Sequence, residues 1–69
     1  MKNGAEFNES TLRKDILELV KKSRVVTTSE IAEAMKISWN TAEKYLLEET
    51  IAGKVERMKK AGVNLWVMK

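Results

Sequence analysis

The sequence TSEIAEAMKISWNTAEKYLLEETIAG, residues 28–53, decides the fold of this chain. Its apolar residues recur at helical intervals in two separate runs. The first run is Ile31, Ala32 and Met35, and the second is Ala42, Leu46 and Leu47, with Ile51 beyond it. Such spacing is typical of amphipathic helices that bury one apolar face. The stretch therefore predicts two short helices, one soon after the other.

The segment between the two runs, Lys36-Ile37-Ser38, is predicted to be a tight turn. Ile37 is out of phase with either helix. Ser38 is a favoured N-cap, because its hydroxyl can accept a hydrogen bond from an unpaired amide of the helix that follows. Two helices joined by so short a turn must cross at a steep angle, so the second protrudes with a polar face outward. This is the geometry of a helix-turn-helix.

The sequence on the N-terminal side adds a helix and a short strand. A first helix is predicted from a cap at Ser10 or Thr11 to about Lys22, because apolar residues follow one face of that segment. Residues 25–27 are a β-branched run and predict a short strand. Thr27 or Thr28 is then expected to cap the second helix.

The sequence on the C-terminal side predicts a β-hairpin. The third helix should run from residue 39 to about residue 52 and end at Gly53, which favours the left-handed conformation found after helices. Residues 55–58 and 64–68 then alternate as strands around a loop, residues 59–63, in which Gly62 supplies a permissive turn position.

Several of these residues together resemble a known family. Ile31-Ala32 followed by Met35, Ile37, Ser38, Thr41, Ala42 and Leu46, and then Gly53-Lys54-Val55, is similar to the winged helix-turn-helix domains of small bacterial and archaeal transcription regulators. The resemblance covers roughly residues 12–68, with Lys36 where such turns often carry Gly. It implies a mainly helical α+β fold, with three helices and a small antiparallel sheet whose hairpin is the wing. We expect a flexible arm at residues 1–9 and one domain at residues 10–69.

Length and composition exclude several classes of function. At 69 residues the chain allows one domain with a small core, and it has neither Cys nor His. Disulfides are therefore excluded, a zinc site is improbable, and the common general bases and thiol nucleophiles of enzymes are missing. No apolar run approaches the ~20 residues that span a bilayer. We expect a soluble cytoplasmic protein that is not an enzyme and has no cofactor, metal or evident small-molecule effector.

Basic residues are concentrated at the C-terminal end. Residues 1–53 hold 8 Lys/Arg and 9 Asp/Glu, whereas residues 54–69 hold 5 Lys/Arg against Glu56 alone. A basic segment of this kind on a near-neutral body indicates either a surface for a polyanion or a solvated basic tail. Together with the protruding helix, it favours a transcription regulator that binds double-stranded DNA.

The predicted interface has two parts. In the third helix the candidate DNA contacts are Ser38, Trp39, Asn40, Thr41, Glu43 and Lys44. In the wing they are Lys54, Arg57, Lys59 and Lys60. An Asn can bond an adenine edge, a Lys can bond guanine or phosphate, and a Glu can accept from the amino group of cytosine. Trp39 either packs on a sugar or thymine methyl or covers the turn.

Two alternative functions stay open at this stage, and one oligomeric state is predicted. The acidic third helix and the exposed-looking Leu47, Ile51 and Trp39 also suit a winged helix that binds another protein without DNA. We also predict a homodimer that pairs two-fold on symmetric DNA, with Leu17, Leu47 and Ile51 as the candidate contacts. Gly53-Lys54-Val55 with Leu65-Trp66 also resembles the winged helices that bind Z-form nucleic acid. Of the binding set in that family, an Asn, a Tyr and a wing Trp, only Trp66 is matched, because Glu43 and Leu47 stand at the other two positions.

Overall fold

A computed structural model describes residues 9–69. The elements follow the chain as α1 (Glu9–Ser23), β1 (Val26–Thr27), α2 (Thr28–Met35), α3 (Trp39–Ile51), β2 (Val55–Lys60) and β3 (Val63–Met68). The strands form one antiparallel sheet in the order β1-β3-β2, so the hairpin pairs with the short strand between the first two helices. The predicted α+β winged-helix architecture is confirmed.

Helix α1 begins at Glu9, two or three residues earlier than the sequence indicates. Ser10 and Thr11 lie inside it, so the prediction that either residue caps it is wrong. Glu9 belongs to the first turn, where the helix dipole favours a carboxylate, and lies 3.3 Å from the Arg13 guanidinium one turn on. The predicted arm thus loses Glu9, and its other residues, 1–8, lie outside the described part of the chain.

The helix-turn-helix forms through local capping. Thr27 caps α2 in a capping box: its hydroxyl accepts from the Glu30 amide at 3.1 Å, and the Glu30 carboxylate accepts from the Thr27 amide at 2.8 Å. Lys36 ends α2 with φ of 58°, the left-handed conformation that Gly would adopt with less strain. Ser38 then caps α3, as predicted, by accepting from the Thr41 amide.

The wing differs from the prediction in the length of its strands. Lys59 and Lys60 belong to β2 and Val63 begins β3, so the loop is the pair Ala61-Gly62 alone. Both turn residues have positive φ, 53° and 79°, as the two-residue turns that match strand twist require. The prediction of a five-residue loop is therefore wrong. Ala61 adopts a left-handed conformation that its side chain disfavours, and this allows the two strands to continue up to a two-residue turn.

We expect Ala61→Gly to stabilise the domain. The substitution removes the left-handed penalty of Ala, which is partly offset by the greater freedom of Gly in the unfolded chain, leaving a gain of about 0.5–1 kcal/mol. For a domain of this size the gain corresponds to a rise in Tm of roughly 2–8 °C, measured by thermal unfolding. Gly62→Ala is the matched control and should lower Tm. An equal response to both substitutions would contradict the turn geometry.

The core lies between the three helices and one face of the sheet. Trp66 of β3 is its largest fully buried side chain, with 0% of its surface exposed. The other buried apolar residues are Ile16, Val20, Val26, Ile31, Ala32, Ala42, Tyr45, Leu46 and Val55. Leu17 is half-buried and packs against this cluster, so it thickens the core.

Arg13 connects α1 to the acidic end of α3. Its guanidinium donates to Glu48 and, at 3.2 Å, to Glu49, and it lies 4.7 Å from the centre of the Tyr45 ring. The hydrogen bond with Glu48 is the main cause that raises the pKa of Arg13, against the opposing effect of burial. For Tyr45, in contrast, burial is the main cause that raises the pKa of the hydroxyl. Two carboxylates of α3 are thus held on its α1 side.

Candidate nucleic-acid interface

The outward face of α3 carries one continuous row of exposed side chains. Asn40, Lys44, Leu47 and Ile51 follow one another at intervals of four, three and four residues, and all four are exposed. Asn40 and Lys44 occupy the half nearest the turn, and Leu47 and Ile51 the far half. The near half therefore offers hydrogen-bonding groups suited to base edges and phosphates, while the far half is apolar.

Ser38 and Thr41 have capping roles at the start of α3. The Ser38 hydroxyl accepts from the Thr41 amide and lies 2.8 Å from the Thr41 hydroxyl, to which it donates. Ser38 is exposed and Thr41 is half-buried. Both remain predicted DNA contacts, but the structure gives each of them a part in holding the first turn of α3.

Trp39 lies at the border of α3 and the wing. Its side chain is 48% exposed and lines a cleft of about 280 Å³. The other lining residues come from the start of α2 and the tip of the wing: Thr27, Thr28, Ser29, Lys59, Gly62, Val63 and Asn64. The cleft joins the near end of α3 to the hairpin. Trp39 therefore lies beside the basic wing and shares the cleft with Lys59.

The basic residues of the wing are divided between the two faces of the hairpin. Arg57 pairs with Trp66 and Lys59 pairs with Asn64, so both share the face that Trp66 turns toward the helices. Lys60 is the next residue along the strand and therefore points from the opposite face, as Met58 does. The predicted pair Lys59 and Lys60 is split, and Lys59 is the one that lines the cleft.

Lys54 lies at the base of the wing, far from its tip. It directly precedes β2, and its carbonyl accepts from the Lys69 amide at 3.1 Å. At about 3.4 Å per residue, five residues of strand separate it from Lys59 by roughly 17 Å. Lys54 and Lys59 would therefore meet well-separated parts of an extended polyanion.

Glu43 corrects the prediction for α3. Helical spacing predicts that its side chain points outward, but it is half-buried and both carboxylate oxygens accept hydrogen bonds. Oε1 accepts from the Thr28 hydroxyl at 2.8 Å, and Oε2 accepts from the Asn64 side-chain amide at 3.2 Å. Because both of its oxygens already accept from these donors, Glu43 is poorly placed to accept from the amino group of a cytosine.

The acidity of α3 is therefore directed away from its outward face. Glu43 is turned toward the wing, and Glu48 and Glu49 toward Arg13. The structure describes the whole of α3, and Lys44 is the one charged side chain in the exposed row of this helix. The ammonium of Lys44 also lies 5.4 Å from the centre of the Tyr45 ring. The excess of carboxylates in the sequence of α3 does not oppose a polyanion at that row.

Ser29 and Asn64 line the cleft but are absent from the interface predicted from the sequence. Ser29 lies in the first turn of α2, which borders the cleft, and the capping pair Thr27 and Glu30 was the available signal for that turn. Asn64 could not have been found from local sequence, because its role depends on pairing across the hairpin.

A second cleft, of about 370 Å³, is lined by α1, β1 and α2 and includes Glu30 and Glu33, so it does not suit a polyanion.

Comparison with known proteins identifies the family. The sequence profile described as "FaeA-like protein" matches residues 12–69, most of the chain. The chain belongs to the FaeA-like family. No curated protein sequence matches it. In residues 9–69 of this FaeA-like chain, no helix has both the length and the apolar character needed to cross a bilayer.

Two solved structures share the fold of the FaeA-like chain. One is the Zalpha domain of Carassius auratus PKZ in complex with Z-DNA, with a TM-score of 0.80 and 13% identity over 88% of this chain and 97% of that one. The other is a Lactococcus lactis ZitR variant in complex with DNA, with a TM-score of 0.77 and 22% identity over 100% of this chain. The match covers 49% of the ZitR chain. At these identities the two similarities establish the winged-helix fold.

Proposed function

We propose that this FaeA-like chain binds double-stranded DNA in a sequence-specific manner as a cytoplasmic transcription regulator. In this proposal the near half of α3 enters the major groove and the wing lies along the sugar–phosphate backbone. The observation that carries it is the arrangement around Trp39. Asn40 and Lys44 occupy the outward face of α3, while Arg57 and Lys59 occupy the adjoining face of the wing. A binding role also accords with the absence of His and Cys from the sequence.

The charge and chemistry of these residues support a duplex as the ligand. Asn40 offers a donor and an acceptor that match the major-groove edge of adenine, and Lys44 can reach guanine or a phosphate. Arg57 and Lys59 can neutralise phosphates without reading sequence. Both fold neighbours are described as DNA complexes, which is consistent with this use of the fold.

Z-form DNA is not the ligand that we propose. Trp66 is the one residue that matches the Z-binding set, and here it is fully buried and donates to the Thr28 hydroxyl at 2.8 Å. The Asn and Tyr of that set are replaced by Glu43 and Leu47. The chain therefore offers none of the three residues on its surface, although its fold is close to that of a Z-DNA-binding domain.

A titration with duplex DNA and a matched pair of lysine variants tests the proposal. Wild-type protein should bind random duplex at low salt, and the affinity should fall steeply as salt is raised. Lys59→Ala should weaken binding by roughly ten-fold and lower the salt slope by about 1, whereas Lys60→Ala, on the other face of the hairpin, should have a smaller effect. Fluorescence anisotropy measures both quantities.

The outcomes of this titration separate the two functions considered. Loss of affinity at Lys59 alone supports DNA on the α3 side of the wing. Absence of binding at low salt would contradict the proposal and would favour a winged helix that binds another protein. Equal effects of the two variants would mean that the wing acts only as a diffuse positive charge.

We also propose that the chain acts as a homodimer through the far half of α3. Ile51 is 87% exposed and Leu47 is 36% exposed, and both continue the row that begins at Asn40. Apolar surface of this kind commonly marks an interface. Sedimentation should show a species of twice the monomer mass that Ile51→Glu disrupts. A monomer at high protein concentration would contradict the pairing.

A further inference from the structure

The inner hydrogen bonds of the domain converge on Glu43. Trp66 of β3 donates to the Thr28 hydroxyl at 2.8 Å, and Thr28 in turn donates to Glu43 Oε1 at 2.8 Å. Asn64, two residues from Trp66 on the same face of β3, donates directly to Glu43 Oε2 at 3.2 Å. One carboxylate of α3 thus binds β3 both directly and through the first residue of α2.

The contact with Asn64 lies at a critical point of the wing. Asn64 is paired with Lys59 across the hairpin, and only four residues separate these two around the turn. Val63, beyond Asn64, is 48% exposed, and Lys60 is exposed. Because a two-stranded hairpin is marginally stable by itself, the last attachment to the body of the domain fixes the position of its tip.

We propose that Glu43 is a positioning residue that holds the wing at a fixed distance from α3. This inference rests on the proposed function, since its consequence is that Lys59 and the outward face of α3 contact one duplex together. Glu43 itself makes no contact with DNA. The carboxylate is suited to this role because it accepts from two donors at once, Thr28 and Asn64.

The direction in which Glu43→Ala changes the affinity for DNA distinguishes this role from a simple charge effect. If Glu43 acted only as a negative charge near the phosphates, Glu43→Ala would tighten DNA binding. A positioning residue predicts the opposite, because the freed wing spends less time where Lys59 can contact the backbone. We expect Glu43→Ala to weaken binding by about ten-fold, the size of one lost phosphate contact.

The chemistry of Asn64 supplies a conservative rescue. Its Oδ1 atom is buried and has no hydrogen-bond partner within residues 9–69. In Glu43→Gln, rotation of the Asn64 amide by a half turn would let Oδ1 accept from the new side-chain amide while Thr28 still donates to the glutamine oxygen. Glu43→Gln should therefore retain most of the affinity. Asn64→Asp should place two carboxylates together and weaken binding, and Glu43→Gln combined with Asn64→Asp should restore it.

The experiment has one arm without DNA and one with it. In the free protein, ¹H–¹⁵N heteronuclear NOE values of Lys59 and Gly62 should fall in Glu43→Ala and Asn64→Asp and return in the combined Glu43→Gln, Asn64→Asp variant. In the second arm, Lys59→Ala should weaken duplex binding about ten-fold in the wild-type background but less than about two-fold in Glu43→Ala, because the two residues act through one contact.

The two arms distinguish a failure of the inference about Glu43 from a failure of the proposed function. Unchanged NOE values in Glu43→Ala, or tighter DNA binding by that variant, would overturn the inference while leaving the proposed function intact. Additive effects of Glu43→Ala and Lys59→Ala would also overturn it. If wild-type protein bound no duplex, the proposed function would fail, and the NOE values would still decide whether Glu43 fixes the wing.

Discussion

Replacing Trp66 by alanine is expected to lower the free energy of unfolding by about 3–5 kcal/mol. Trp66 is the largest fully buried side chain and lies where β3 meets the helices. Its loss leaves a cavity and also removes the donor that bonds the Thr28 hydroxyl. A domain of this size has a total stability of only roughly 5 kcal/mol, so the variant should keep at most about 2 kcal/mol and be partly unfolded near physiological temperature. Circular dichroism during urea and thermal unfolding measures the change.

Trp66→Phe is the control for this prediction. It retains most of the aromatic volume but lacks the indole N–H, and the expected loss is about 1–2 kcal/mol. If Trp66→Ala remained folded with nearly wild-type stability, Trp66 would have to be a surface residue of the wing. That result would also reopen binding of Z-form DNA, which we set aside because this side chain is buried.

Combining Asn40→Ala with Lys44→Ala is expected to weaken binding to a preferred duplex by roughly 100-fold. The preferred duplex would be selected by the wild-type protein from a random pool. Asn40 should supply discrimination between bases, and Lys44 should supply a base or phosphate contact, because both lie on the exposed near half of α3. On unselected duplex the same variant should lose much less, since the contribution of Asn40 depends on sequence.

The matched control is Lys21→Ala with Lys22→Ala in the last turn of α1. This change removes two exposed positive charges outside α3 and the wing, and it should lower affinity only slightly at moderate salt. If the α1 variant were weakened as strongly as the α3 variant, net charge rather than the face of α3 would govern binding. The expected selectivity for the chosen duplex would then also be absent.

The parts of the fold that obey local rules could be predicted from the sequence. Thr27 and Ser38 cap helices because their hydroxyls lie beside free amides, and Gly53 adopts a φ of 81° after α3. The tertiary roles of α3 could not be predicted. Tyr45 is buried and Glu49 is 5% exposed because Arg13 from α1 covers that side of the helix. No periodicity within α3 reveals this partner.

In the candidate site, too, the features that follow local rules could be predicted and those that depend on tertiary partners could not. The exposure of Asn40 and Lys44 followed from helical geometry, and the basic wing followed from composition. Helical spacing alone predicts that Glu43 points outward. That prediction is wrong because its partners, Thr28 and Asn64, come from other elements of the fold. The assignment of Lys59 and Lys60 to opposite faces required the strand to extend to the turn, which depends on a positive φ at Ala61.

An NMR titration of ¹⁵N-labelled protein with duplex DNA tests the central claim most directly. The claim is that the outward face of α3 and the face of the wing that carries Arg57 and Lys59 contact one duplex together. The account predicts chemical-shift changes at the amides of Asn40, Lys44, Lys59 and Gly62, which reach saturation together and diminish as salt is raised. Changes confined to α1 and the cleft beside Glu33, or no changes at low salt, would contradict it.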